Sequence, residues 1–227
     1  FETEANGLAL LKDHSEFVVP RVIKHGENNG ITYLIMEFIH PGSSGYPHED
    51  AGRKLAEMHL HNQEQFGLDH SNYIGSLPQS NTFHSNWLEF YREERILPLL
   101  SRTEEYFSAQ ERQLFDGLFK NLNEFFPEQP ASLLHGDLWS GNTFTSHTNE
   151  AVLIDPAVYY GHYLMDLGMT RLFGGFRDDF YLAYNEINPL ENNWQEACQI
   201  ANLYPLLVHL DLFVSTYKGQ IISILST

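Results

Sequence analysis

The segment LLHGDLWSGN, residues 133–142, carries the most informative spacing in the chain. His135 is followed two residues later by Asp137, and Asn142 comes five residues after that Asp. Gly136 permits the tight backbone path that such a loop needs. A carboxylate can accept the proton of a hydroxyl group, and an amide oxygen is a ligand that Mg²⁺ accepts. The loop therefore combines a candidate base with a candidate metal ligand.

The catalytic loop of kinases has the same H-x-D-x-x-x-x-N spacing. In that loop the Asp accepts the proton of the attacking hydroxyl group and the Asn binds Mg²⁺, so we predict these roles for Asp137 and Asn142. A buried apolar run at 151–154 ends in Asp155, and a polar turn at 146–150 can bring it to Asn142 as a second metal ligand. Taken singly, each of these residues could be an ordinary turn former. Their conjunction favours the kinase interpretation.

Composition limits the partners of the chain. Its 227 residues are 42% apolar, enough for one buried core, and carry 13 Lys and Arg against 30 Asp and Glu, a net charge of −17. This balance argues against a nucleic-acid partner, because phosphate backbones are bound by clustered basic residues. An acidic protein that binds ATP must offset the nucleotide charge locally, and Mg²⁺ held by carboxylates is the usual means.

The single cysteine and the apolar runs bear on location. Cys198 has no second cysteine to pair with, and its helical context predicts a small buried apolar side chain. We find neither a signal peptide nor an apolar run of membrane-spanning length. We therefore expect a soluble, cytoplasmic protein without a membrane partner. The oligomeric state cannot be predicted from these features.

The chain divides near residue 40. Residues 1–40 combine a helix over 1–12 with apolar runs at 18–24 and 31–39 that flank a turn-rich HGENNG segment, which predicts a β-hairpin. The PGSSG run that follows is a linker. Beyond it, apolar periodicity predicts helices over 48–62, 87–100, 109–126 and from about 165 to the end. We expect an α+β protein, with a small β-containing piece at 1–40 and a larger helical lobe at 41–227.

Four segments together resemble the fructosamine kinase (ketosamine 3-kinase) family, a branch of the aminoglycoside-phosphotransferase-like kinases. They are LLHGDLWSGN at 133–142, DPAVYYGH at 155–162, DLGMTRLFGGF at 166–176 and NYIGSLPQSN at 72–81. The resemblance implies a protein-kinase-like fold, ATP and Mg²⁺ as cofactors, and phosphorylation of the 3-hydroxyl group of a ketose attached to an amine. The product then decomposes and frees the amine, which repairs glycated molecules. Tyr163-Leu164 and Val214 depart from the family's usual residues.

The same resemblance assigns supporting roles. His135 and Asp166 would orient the catalytic loop. Glu4 would pair with a phosphate-binding Lys, which together with a Gly-rich loop should precede residue 1, so we expect the sequence to be N-terminally incomplete. Residues 1–40 would then be the remnant of a nucleotide-binding lobe and its hinge. Lys54 and Arg171 are the next candidates for holding phosphate.

Two further groups of residues carry open alternatives. Met36 would be the gatekeeper, and the backbone of Glu37 and Ile39 would meet adenine, although a plain buried strand has the same apolar pattern. Trp139 could stack on a sugar or pack in the core. Candidate substrate contacts also include His209 and Asp211, for which satisfied core groups are the favoured alternative.

Two other functions stay open at the level of sequence. The chain could be a related phosphotransferase that acts on aminoglycosides or choline-like alcohols, against which the Trp139 loop and the FGGF run at 173–176 argue. It could also be an inactive nucleotide- or sugar-binding module. A Gly-rich loop and a strand Lys encoded upstream would eliminate this last hypothesis.

Overall fold

The computed structural model describes residues 1–213 and 215–226, so Val214 lies outside the described residues. The helices are α1 Glu2–His14, α2 His48–His59, α3 Trp87–Phe90, α4 Leu97–Arg102, α5 Ala109–Phe125, α6 Leu164–Leu172, α7 Asp178–Ile187, α8 Trp194–Ala201, α9 Leu203–Leu212 and α10 Lys218–Leu225. The strands are β1 Val22–Asn28, β2 Ile31–Met36, β3 Asn62–Gln63, β4 Asn72–Ile74, β5 Leu77–Gln79, β6 Ala131–Leu134, β7 Thr143–Thr145, β8 Ala151–Leu153 and β9 Tyr159–Gly161. Helices predominate and the sheets are small and antiparallel, which confirms the predicted α+β class.

The first 40 residues form a helix and a hairpin. α1 buries Leu8 and Leu11, and a Cβ on Gly7 would lie 3.0 Å from Val158 Cγ2, so the helix packs closely on that segment. The turn between the two strands is shorter than the six residues predicted. β1 continues to Asn28, and only Asn29 and Gly30 turn, with φ of 52° and 79°, the left-handed values of a type I′ turn.

Several predicted boundaries differ from the structure: the helix predicted over 48–62, for example, ends at His59, and Asn62 lies in β3. Val18 does not belong to the hairpin but pairs in parallel with Val152, which ties the first 40 residues to β8. The helix predicted over 87–100 is divided, because a π-helical turn at Tyr91–Ile96 separates α3 from α4. That turn points both Tyr91 and Arg95 into the core, where each is fully buried.

Strands near the middle of the chain support the candidate site. β6 is the central strand of the sheet β3-β6-β9 and leads directly into residues 135–142. β7 and β8 form the hairpin predicted around the polar turn, and β8 leads to Asp155. The two loops that carry the candidate chemistry therefore leave two strands whose side chains belong to one packed core.

No helix among the described residues is long and apolar enough to cross a membrane. Cys198 is buried in α8, as predicted, and burial raises the pKa of its thiol to about 12. The thiol is therefore held in its neutral, unreactive form at physiological pH.

Candidate active site

The catalytic-loop backbone is fixed by a buried carboxylate. Asp166, near the start of α6, accepts hydrogen bonds from the amides of His135 at 2.8 Å and Gly136 at 2.9 Å. Gly136 has φ of 82°, and a Cβ there would lie 2.1 Å from the Ala157 carbonyl oxygen, so a side chain is sterically excluded. His135 Nε2 lies 3.0 Å from the Ile154 carbonyl oxygen, which joins the loop to the strand before Asp155. Asp166 and His135 therefore both contact the segments that flank Asp137, and their orienting roles stay predictions.

Asp137 is the carboxylate at the centre of the site. Asn142 Nδ2 donates to Asp137 Oδ2 at 3.0 Å and to the Asp137 carbonyl oxygen at 2.9 Å. Burial raises the pKa of Asp137 to about 7; the Asn142 hydrogen bond opposes this shift, and the charges of Asp166 and Asp155 add to it. A carboxylate with a pKa near neutrality can take up and release a proton under physiological conditions.

Asp155 stands beside this pair with an exposed side chain. Its φ of 51° is unusual for a residue other than glycine, and it turns the chain sharply after β8. The Ile154 amide donates to the Asn142 carbonyl oxygen at 3.0 Å, and Asn142 Nδ2 lies 3.5 Å from the Asp155 carbonyl oxygen. Asp155 and Asn142 line the same pocket, and Mg²⁺ prefers one or two carboxylate or amide oxygen ligands together with phosphate and water. The donor set fits Mg²⁺.

These groups line one pocket of about 450 Å³, together with Glu4 from α1. Burial raises the pKa of Glu4, and the nearby negative charge of Asp155 raises it further. Two carboxylates in one pocket favour the binding of a cation or the uptake of a proton. The pairing of Glu4 with a Lys stays a prediction.

Trp139 lies on the pocket wall with 38% of its surface exposed, and its ring meets Phe173 edge-on at 6.0 Å between centroids. Exposure at the pocket favours the substrate-stacking alternative over core packing. A Cβ on Gly141 would lie 2.3 Å from the indole ring, so the glycine makes room for it.

The residues predicted to contact adenine do not line this pocket. β2 ends at Met36, which is half-buried, and the Glu37 amide donates to the Arg21 carbonyl oxygen at 2.9 Å, which closes the open end of the hairpin. Met36, Glu37 and Ile39 are not among the described residues that line the Asp137 pocket. Their role in nucleotide binding stays a prediction.

His209 and Asp211 are also separate from the pocket lining. The His209 ring packs against Phe173 at 5.0 Å, and its Nδ1 bonds the Pro205 carbonyl oxygen at 2.7 Å. Asp211 accepts a hydrogen bond from Arg102 Nε at 2.6 Å. Both side chains are satisfied by the protein, as in the favoured alternative, although Phe173 places His209 one ring away from Trp139.

Sequence reasoning missed two parts of the site. His59 of α2 bonds Asp166 Oδ2 through Nε2 at 3.2 Å and the Tyr184 hydroxyl through Nδ1 at 2.8 Å, so a second helix fixes the loop-orienting carboxylate. A histidine on the apolar stripe of α2 was the available signal. The other part is the hairpin β4–β5, whose Asn72, Tyr73 and Gly75 line the pocket.

Fold and site together define a small-molecule kinase. Asp137, Asn142 and Asp155 line one pocket, and the fold is similar to that of an ADP-bound aminoglycoside phosphotransferase, with a TM-score of 0.61 at 12% identity over 99% of this chain and 80% of that one. At that identity the likeness shows the fold alone.

The sequence profile of the fructosamine kinase family matches residues 1–227, and the chain belongs to this family. It is 40% identical to an Enterococcus faecium protein named "Probable ketoamine kinase", over 97% of this chain and 80% of that protein. It is also 40% identical to the chloroplastic protein-ribulosamine 3-kinase of Arabidopsis thaliana, over 99% of this chain and 71% of that protein. A Thermobifida fusca crystal structure provisionally assigned as a fructosamine-3-kinase has a TM-score of 0.89 at 35% identity, covering 100% of this chain and 78% of that one.

Proposed function

We propose that the protein transfers the γ-phosphate of ATP to the 3-hydroxyl group of ketosamines, the glycated amines in which a ketose is attached to nitrogen. The observation that carries this proposal is the buried Asp137 carboxylate, hydrogen-bonded to Asn142 in a pocket shared with Asp155 and the exposed Trp139. Family membership and the names of the relatives support the acceptor class. Phosphorylation at this position makes the sugar prone to leave, so the reaction frees the amine.

Asp137 acts as the proton acceptor. Its Oδ2 atom is engaged by Asn142 Nδ2, which holds the carboxylate in one orientation. Oδ1 then takes the proton of the acceptor hydroxyl as the oxygen attacks phosphorus. Because burial brings the pKa of Asp137 to about 7, the group is matched to proton transfer near neutral pH.

Asn142 and Asp155 would hold Mg²⁺, and Glu4 adds negative charge to the same pocket. The ion, when bound with ATP, offsets charge on the transferred phosphate. Trp139 offers an apolar ring face to the C–H face of the sugar, and Asp166 keeps the loop in register. Transfer then depends mainly on positioning and electrostatics, as is usual for phosphoryl transfer.

The test is a phosphorylation assay with Mg·ATP and a panel of acceptors. Fructosyl-lysine and ribulosyl-lysine, free and on a protein, should stimulate ADP release, and the product should carry phosphate on C3 by ³¹P–¹H correlation. Choline and an aminoglycoside serve as comparison acceptors. A higher kcat/KM for either of them would replace ketosamines as the acceptor, and ATP binding without transfer to any acceptor would favour a binding module.

A further inference from the structure

The hairpin β4–β5 forms one wall of the pocket and is very small. Its strands have three residues each, and Gly75 turns with φ of 57°. Side chains alternate across it: those that point inward are buried, whereas Tyr73 is 55% exposed and lines the pocket. The buried residues are Asn72, Ile74, Leu77 and Gln79. A two-stranded hairpin of this length has little stability of its own, so its position depends on what the buried side chains contact.

The polar members of that buried set bond the segment after Asp155. Asn72 Nδ2 donates to the Val158 carbonyl oxygen at 2.8 Å. Gln79 Nε2 donates to the Ala157 carbonyl oxygen at 3.1 Å and to Asn72 Oδ1 at 2.8 Å, and Gln79 Oε1 accepts from the Tyr204 hydroxyl at 2.6 Å. Both polar atoms of the Gln79 side-chain amide are therefore hydrogen-bonded within the protein.

Ala157 connects this network to the catalytic loop. Its amide donates to the His135 carbonyl oxygen at 2.9 Å, and its carbonyl oxygen fills the space that a Cβ on Gly136 would need. The Ala157 carbonyl oxygen that accepts from Gln79 is therefore also the one that packs against Gly136, the residue before Asp137. A displacement of the hairpin acts on the pocket wall and on the catalytic loop together.

Arg95 binds the two residues that directly follow β5. Its fully buried guanidinium group donates to the Ser80 carbonyl oxygen at 2.6 Å and to Asn81 Oδ1 at 2.7 Å, and it lies 4.0 Å from the Tyr159 ring centroid. Its hydrogen-bond acceptors among the described residues are backbone carbonyl oxygens and an amide oxygen, not carboxylates. Burial of a cation without a carboxylate partner is costly, and the hydrogen bonds to Ser80 and Asn81 offset part of that cost.

Asn81 links Arg95 to Asn72. Its Nδ2 donates to Asn72 Oδ1 at 2.9 Å and to the His70 carbonyl oxygen at 3.1 Å. The open end of the hairpin, where Asn72 pairs with Gln79, is therefore fixed by one group of buried polar side chains.

We propose that β4–β5 is a rigid wall of the acceptor side of the pocket, that Tyr73 contacts the acceptor, and that Gln79 and Arg95 are positioning residues that hold this wall against the catalytic loop. The proposal rests on the proposed function, because the acceptor side is defined by Asp137 as the base. A purely structural role for the network would lower stability without altering substrate affinity in the folded protein.

Gln79→Glu provides the principal test. The change is nearly isosteric, but it removes the donor to Ala157 and Asn72. We expect KM for the ketosamine to rise about tenfold or more, with a smaller change in KM for ATP, because the acceptor wall is displaced. Asn202→Asp is the matched control: its Nδ2 donates to the Gly168 carbonyl oxygen at 2.9 Å and not to the hairpin, so stability should fall without a rise in KM. Equal KM values in Gln79→Glu and wild type would overturn the proposal.

Tyr204→Phe is a milder variant that decides the question if Gln79→Glu does not fold. It removes only the hydroxyl that bonds Gln79, and Tyr181→Phe, which loses a bond to Thr170, is its control. Hydrogen exchange at residues 72–79 should be faster in Tyr204→Phe and unchanged in Tyr181→Phe. Unchanged exchange at these residues in Tyr204→Phe would overturn the proposal. A wild-type protein inactive on ketosamines would instead overturn the proposed function, and the exchange data would still report on the positioning network.

Discussion

Residues 131–166 and the hairpin β1–β2 are both rich in apolar residues, but they differ in their surroundings. In the first region Leu133, Leu134 and Asp166 are fully buried, and the loop amides have defined acceptors. In the hairpin, Ile31 is 71% exposed and Ile23 is 56% exposed. Apolar content alone therefore does not identify the core. The rigid region is the one whose backbone is bonded to side chains from distant elements.

The largest expected effect lies in the rigid region, at Asp137. Asp137→Asn should preserve the fold, because the amide has the same shape, and should lower kcat by about 10²–10⁴-fold through loss of the general base. Steady-state kinetics with a ketosamine acceptor, together with circular dichroism as a check on folding, measures this. Retention of more than a tenth of wild-type turnover would remove Asp137 from the role.

A pair of truncations compares the two regions directly. Leu133→Ala should lower the free energy of unfolding by about 2–5 kcal/mol, because it leaves a cavity beside the catalytic loop. Ile31→Ala, on the exposed hairpin, should change it by no more than about 0.5 kcal/mol. Urea titrations of both variants provide the values. Similar losses would mean that the hairpin is as well packed as the core.

Asp166→Asn tests whether the loop is held by that carboxylate. Replacement of one acceptor oxygen by a donor disturbs the bonds from His135 and Gly136, and we expect kcat to fall by about 10²-fold through misplacement of Asp137. Asp211→Asn, which breaks only the pair with Arg102, is the control and should leave kcat within about twofold. If both variants behave alike, Asp166 does not orient the loop.

His162 gives a pH-dependent prediction for the same core. Burial lowers its pKa to about 3; its Nε2 bonds the Pro127 carbonyl oxygen and its Nδ1 accepts from the Leu164 amide. The unfolded chain binds this proton near pH 6.5 and the folded chain does not, so folding stability should fall as the pH decreases from about 6.5 towards 3, by at most about 1.4 kcal/mol per pH unit. His162→Gln should reduce that slope in urea midpoints measured from pH 4 to 6. An unchanged slope would assign the acid sensitivity to other groups.

The proximity of Asp137, Asn142 and Asp155 could be predicted from the sequence because these residues are close together in the chain and a short hairpin joins their loops. The Asn29-Gly30 turn has a similarly local signal, although the sequence predicted it too long. His59 and Arg95 could not be assigned because their partners are distant in sequence: His59 meets Asp166 from another helix, and Arg95 is turned inward by a π-helical segment. For Trp139, only the three-dimensional structure reveals the exposure that separates a stacking role from core packing.

The central claim is that Asn142 and Asp155 form a metal site beside Asp137. Electron paramagnetic resonance titration with Mn²⁺ in place of Mg²⁺, in the presence of ADP, tests it in wild type, Asp155→Asn and the control Asp211→Asn. We predict one nucleotide-dependent Mn²⁺ site in wild type and in the control, and an affinity about tenfold or more lower in Asp155→Asn, because a charged oxygen ligand is lost. Equal Mn²⁺ affinity in Asp155→Asn and wild type would contradict the claim.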